Sequence, residues 1–223
     1  MTEKNSAYYR GTARGCLQNN WGTAILVTMA IFGVSFLAGL TSIIPIVGSI
    51  VSIIIYGPLV VVEFRYFIAL NKKDNPTVGT AFTNFGKHFW GNVGAYILQA
   101  IYTFLWTLLF IIPGIIKTYS YSMTLFLKSK NPEMSANDAI TLSRKIMDGK
   151  KWKLFCLEIS FIGWVILSLL SLCIGFIFLV PYMSASLVAF FEDAYIEYQE
   201  KSGNVIDVEA VKLSADDNQI EVE

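Results

Sequence analysis

Charge is what this sequence has least of. Only 15% of its residues are charged against 54% hydrophobic, and the mean hydropathy is +0.53. Water-soluble domains carry about 25% charged residues, so an ordinary soluble domain is excluded. Histidine is nearly missing: His88 is the single one in 223 residues, which rules out a zinc or iron centre built on several imidazoles. The three cysteines, Cys16, Cys156 and Cys173, are odd in number and lack CxxC spacing. They are read as small apolar residues, not as a disulfide or metal set. A P-loop, a G-x-S-x-G elbow and an H-E-x-x-H helix are all absent. The adjacent carboxylates Glu192-Asp193 are read as marking the exit of a span from the membrane. The expectation is therefore a non-enzymatic chain with no catalytic residues, no cofactor and no nucleic-acid partner.

What remains is apolar runs of membrane length. The chain reads as an all-α membrane protein with six transmembrane helices arranged as three hairpins, each preceded by a cytoplasmic interfacial amphipathic helix. The spans fall at about 22–40, 43–70, 92–112, 114–128, 154–172 and 175–195, most of them close to the ~20 residues that cross a ~30 Å hydrocarbon core. The polar stretch before the first run has no small-residue cleavage site, so that run is read as a retained span. In the second, Gly57-Pro58 predicts a kink. Residues 1–200 form one membrane domain, and 201–223 are expected to be a disordered acidic cytoplasmic tail. That tail holds six acids against two lysines, a net of −4 within a chain of formal charge zero.

The polar segments end on Trp21, Trp90 and Trp152, read as interfacial anchors, since tryptophan favours the headgroup level. Asn75-Pro76 and Asn131-Pro132 open the second and third copies, and Ala13, Ala81 and Ala139 precede the three tryptophans. Together these marks indicate an internal threefold repeat. Ser135 and Asp138 have capping-box spacing, so a helix should start there. Ala136, Ala139, Ile140, Ser143 and Met147 share one face of it, the pattern of a helix lying flat on a membrane. The long segments are rich in lysine and arginine and the short turns hold none, which places both termini and the long segments on the cytoplasmic side of a bacterial inner membrane. The basic run GKKWK at 149–153 suits anionic headgroups of the lipid bilayer.

Five residues form a candidate intramembrane polar site: Glu63, Arg65, Lys117, Tyr121 and Glu158. Arg65 and Glu158 lie at matching depth, roughly 8 to 9 Å inside the cytoplasmic boundary at 1.5 Å per residue, and could pair. Lys117, Tyr121, Thr124 and Lys128 recur at helical spacing on one face. A structural ion pair and a polar pathway both fit these charges, and a packing face fits the hydroxyl-rich stretch.

The strings IIPGIIKTYSYSM, NPEMSANDAITLSRKIMDGKKWKLFCLEISFIGW and VPYMSASLVAFFED resemble the bacterial membrane-protein family labelled domain of unknown function 975, over roughly residues 8 to 195. The resemblance implies a six-span inner-membrane protein and supplies no activity. Two functions remain open. One is a membrane module acting through protein, peptide or lipid partners in envelope homeostasis or defence against membrane-active peptides. The other is a small-solute or peptide transporter, suggested by the repeats and the intramembrane charges.

Overall fold

The computed structural model describes residues 4–41, 45–74, 76–83, 85–171 and 174–202, without the side chains of 45–47, and every regular element among them is an α-helix. In chain order these are α1 (Ser6–Leu17), α2 (Trp21–Leu40), α3 (Pro45–Asn71), α4 (Val78–Phe82), α5 (Phe89–Leu109), α6 (Ile111–Tyr121), α7 (Thr124–Lys130), α8 (Ala136–Ile146), α9 (Lys151–Ile159), α10 (Ile162–Leu170) and α11 (Phe176–Ser202). The expected tail lies outside the described residues from 203 onward, as does Cys173.

Five stretches are long and apolar enough to cross a membrane: Trp21–Leu40, Gly48–Asn71, Phe89–Leu109, Lys151–Leu170 and Phe176–Ser202. Their outer faces carry bare apolar side chains; Phe32, Leu108 and Leu170 are 68%, 72% and 77% exposed. Water does not tolerate so continuous an apolar rind, whereas lipid is its natural surroundings. The fourth predicted span, 114–128, does not join this set. It is divided into the 11-residue α6 and the 7-residue α7 by a turn at Ser122-Met123. The helix of the second span continues through Pro58.

The division of the fourth span has a local cause. Thr118, Ser120, Ser122 and Thr124 all turn their hydroxyls back onto carbonyls three or four residues earlier, a competition that loosens a helix ladder. Ser143 of α8 then enters the gap. Its hydroxyl donates to the Ser120 carbonyl at 2.8 Å and accepts from the Met123 N–H at 3.2 Å. A side chain inserted into the ladder is an established cause of a helix break.

Each predicted hairpin is preceded by a short helix with a side-chain cap: Asn5 caps α1, Thr77 caps α4 and Ser135 caps α8. Ala13, Ala81 and Ala139 are 0%, 4% and 0% exposed on these helices, so each alanine is where its helix presses against the protein. α4 is only five residues long. α8 differs from the sequence expectation in what covers it: Ala139, Ile140, Ser143 and Met147 are buried by protein, with α5, α6 and α7 against it.

Small residues let the helices of the hairpins meet. A Cβ on Gly114 would stand 2.7 Å from the Thr107 Cα, and one on Gly175 would stand 2.8 Å from the Ser168 Cα. Both pairs are seven residues apart and straddle a hairpin turn. Thr41 and Gly48 have the same spacing in the sequence, with residues 42–44 outside the described ones. The interior lies toward the other end of the bundle, where Phe64 of α3, Phe126 of α7 and Phe191 of α11 meet with ring centroids 5.4 to 5.9 Å apart.

Candidate functional site

The five polar residues singled out in the sequence do not converge. Glu63, on α3, accepts a hydrogen bond from the Ser184 hydroxyl of α11. Lys117 places its ammonium 4.5 Å from the centre of the Trp106 ring, across the α5–α6 turn. Tyr121 is buried, its ring 6.2 Å from that of Tyr102. Glu158 accepts from the Tyr119 hydroxyl at 2.6 Å. Arg65 is half-buried and makes no ion pair or hydrogen bond among the described residues. The expected Arg65–Glu158 pair is therefore not formed. Equal depth sets height along two helices but not which way each residue points, and α9 turns Glu158 toward α6.

The face Lys117, Tyr121, Thr124, Lys128 is likewise cut by the turn at Ser122-Met123. Lys128 is 2% exposed, and its ammonium donates to the Pro132 and Met134 carbonyls at 2.7 Å each. It ties down the loop leading into α8. His88 lies beside Glu133 of that same loop at 3.3 Å.

The densest polar arrangement is one read in the sequence only as a membrane exit. Glu192 is 7% exposed on α11; it accepts from the Asn71 side chain at 3.2 Å and faces the Lys130 ammonium at 3.4 Å. Asp193 accepts from the Tyr9 hydroxyl at 2.8 Å and pairs with Lys4. Glu197 accepts from Lys150 and Lys201, each at 2.6 Å, while Lys150 also reaches the Ala194 carbonyl. Three carboxylates on one helix thus hold α1, the end of α3, α7 and the segment between α8 and α9. The signal in the sequence was the placement of three acids opposite a run of cations at 128–153, which a count of net charge conceals.

Burial raises the Tyr9 phenol above its ordinary range, with Asp193 adding to the effect, so Tyr9 serves as a proton donor to that carboxylate. Burial also pushes the Cys16 thiol up to about 11, helped by Glu192. Cys16 and Cys156 are free thiols, and no group of three His, Cys, Asp or Glu side chains among the described residues is placed to hold a metal ion. Of the three tryptophans expected to be anchors, Trp90 and Trp152 are 74% and 70% exposed, at the start of α5 and α9. Trp21 is half-buried, its ring 6.2 Å from Phe178.

These features define an all-helical protein of membrane type, with apolar helices outward and ion pairs gathered at one end. The chain belongs to the family described as Protein of unknown function (DUF975), whose model matches residues 1–120 and 110–195. No curated protein and no solved structure matches it.

Proposed function

We propose that this is a multi-pass protein of the bacterial cytoplasmic membrane that acts by binding lipid, peptide or protein partners, in envelope homeostasis or defence against membrane-active peptides. In this reading α6 and α7 together complete a sixth crossing, both termini are cytoplasmic, and α1, α4 and α8 lie at the cytoplasmic interface. The three alanine-marked helices, each followed by a hairpin, are then copies of one unit.

The observation that carries the reading is the filled interior. Phe64, Phe126 and Phe191 occupy the meeting point of α3, α7 and α11, and beside them Glu192 is engaged by Asn71 and Lys130. A permease needs a wettable path there, whereas a binding module works from its surface. The permease reading draws its support from Arg65, which is half-buried with no ionic partner among the described residues.

Two measurements separate them. A deletion strain challenged with cationic membrane-active peptides should become more sensitive than its parent, with restoration by the wild-type chain. Purified protein in liposomes should pass no tested solute faster than protein-free liposomes do. Unchanged peptide sensitivity removes the binding role, and solute flux that disappears in Arg65→Met establishes the permease.

A further inference from the structure

We propose that a cleft beside α11 binds one acyl chain of an anionic phospholipid, with the phosphate held by Arg14. The proposal rests on the reading of the chain as embedded in a bilayer, and it adds a site and a lipid class to it.

The cleft has a volume of about 410 Å³. Its floor is α11, where Phe178, Leu179 and Tyr182 present one face. Trp164 and Leu167 of α10 form one wall and Trp21 of α2 forms another. Trp164, Leu167 and Phe178 are 47%, 57% and 54% exposed, so the trough opens to its surroundings. Toward one end α10 and α11 come together, at the Ser168–Gly175 approach. From Gly175 to Tyr182 the floor runs two helical turns, roughly 10 Å, long enough to cover part of one acyl chain.

The charge comes from α1. The Tyr182 hydroxyl donates to the Arg10 carbonyl at 3.3 Å, which brings α1 against the rim of the trough. Arg14, one helical turn further on, is exposed and is the sole charged residue of the lining. No acid lines the cleft, and Arg14 makes no ion pair or hydrogen bond among the described residues. Arg10, by contrast, donates to the Ser160 carbonyl at 3.3 Å, in the turn between α9 and α10. An apolar trough with an unneutralised guanidinium at its rim is complementary to a lipid carrying both an alkyl chain and a negative phosphate. A zwitterionic lipid brings its own cation to the same spot, and a peptide would leave its backbone amides unpaired against the apolar walls.

Two of the five tryptophans of the chain line the cleft. The W90F/W106F/W152F chain, which keeps Trp21 and Trp164, is reconstituted in nanodiscs containing phospholipid brominated on its acyl chains. Brominated phosphatidylglycerol should quench the remaining fluorescence at about fivefold lower mole fraction than brominated phosphatidylcholine, the size expected of one interfacial cation. Arg14→Gln should erase that preference and Arg14→Lys should keep most of it. In parallel, the unaltered full chain should retain phosphatidylglycerol through detergent purification, read by native mass spectrometry, and its Arg14→Gln form should not. Equal quenching by the two lipids, or a preference that survives Arg14→Gln, overturns the site while leaving the membrane reading intact. Quenching by neither lipid overturns the membrane reading itself.

Discussion

The hydroxyl of Ser143 bridges the Ser120 carbonyl and the Met123 N–H, holding open the turn that separates α6 from α7. Removing it by Ser143→Ala leaves two backbone groups without partners in a buried setting. The expected loss is about 1 to 3 kcal/mol, the cost of an unsatisfied buried polar group. Thermal unfolding in detergent reads it directly. Thr at 143 should recover part of the loss, and a melting temperature unchanged in the alanine variant would show that α6 and α7 tolerate the gap without α8.

Gly114 and Gly175 should be intolerant of a methyl group. In each case the added Cβ would meet the backbone of the facing helix, at Thr107 or Ser168, leaving no flexible side chain to move aside. Gly114→Ala and Gly175→Ala should each cost about 1 to 3 kcal/mol, as overpacking does. Gly94→Ala, with open space around the new carbon, is the control and should be neutral or slightly stabilising. Equal effects at all three positions would mean that helix propensity, and not close approach, governs them.

Arg65 and Glu158 should behave independently. In a cycle of Arg65→Met, Glu158→Gln and the double variant, the losses in stability should add to within about 0.5 kcal/mol. Lys130→Met and Glu192→Gln should not add, because those side chains face one another at 3.4 Å and both are largely shielded. Either single change there takes away the facing opposite charge, at a cost that can reach about 3 to 5 kcal/mol, and the second change should relieve part of it. Additivity at Lys130–Glu192 would remove that pair from the account of what holds α7 to α11.

Cys16 should be a slow nucleophile. Burial pushes its thiol up to about 11 from an ordinary value of 9.0, so the thiolate fraction at neutral pH falls by about a hundredfold. The sign follows from burial, which disfavours the charged form. With Cys156 and Cys173 replaced by alanine, iodoacetamide labelling of the native protein should be far slower than that of denatured chain and should climb with pH well past the usual thiol range. Fast labelling at neutral pH would show that α1 lifts away from α11.

Reporter fusions test the crossing of the divided span. Fusions after Lys201 and near Lys130 should read as cytoplasmic and one near Ile112 as external. An external signal at Lys130 would mean that α6 and α7 do not return across the membrane.

α2, α3, α5 and α11 were legible as long apolar helices because uncharged runs leave few alternatives; the ends of α2, α3 and α5 lie within about three residues of the expected ones, whereas α11 runs on to Ser202, past the expected 195. Ser135 was legible as a helix start because its cap is a local interaction, made to Asp138. Ala13, Ala81 and Ala139 were legible as burial points because a small apolar residue on a polar helix lets that helix approach its neighbour closely. What stayed hidden depends on rotation and on distance along the chain. Ser143 looks like any small residue on an apolar face until Ser120 is beside it. Glu158 could not be turned toward Tyr119 by depth alone. Glu192 and Lys130 are far apart in sequence, and the aromatic contacts of Phe64, Phe126 and Phe191 join three segments that carry no shared motif.

Lys4 and Tyr9 both reach Asp193, so the first helix is fastened to the last. A ribosome delivers the chain from its N-terminus onward, and the Ser168–Gly175 and Thr107–Gly114 contacts are local enough to form as each hairpin emerges. The Asp193 contacts are not: α1 must wait, with Tyr9 lacking its acceptor, until α11 has been made. Emergence of α11 is therefore the moment at which these contacts close, and a chain truncated before α11 would leave this face of α1 uncovered.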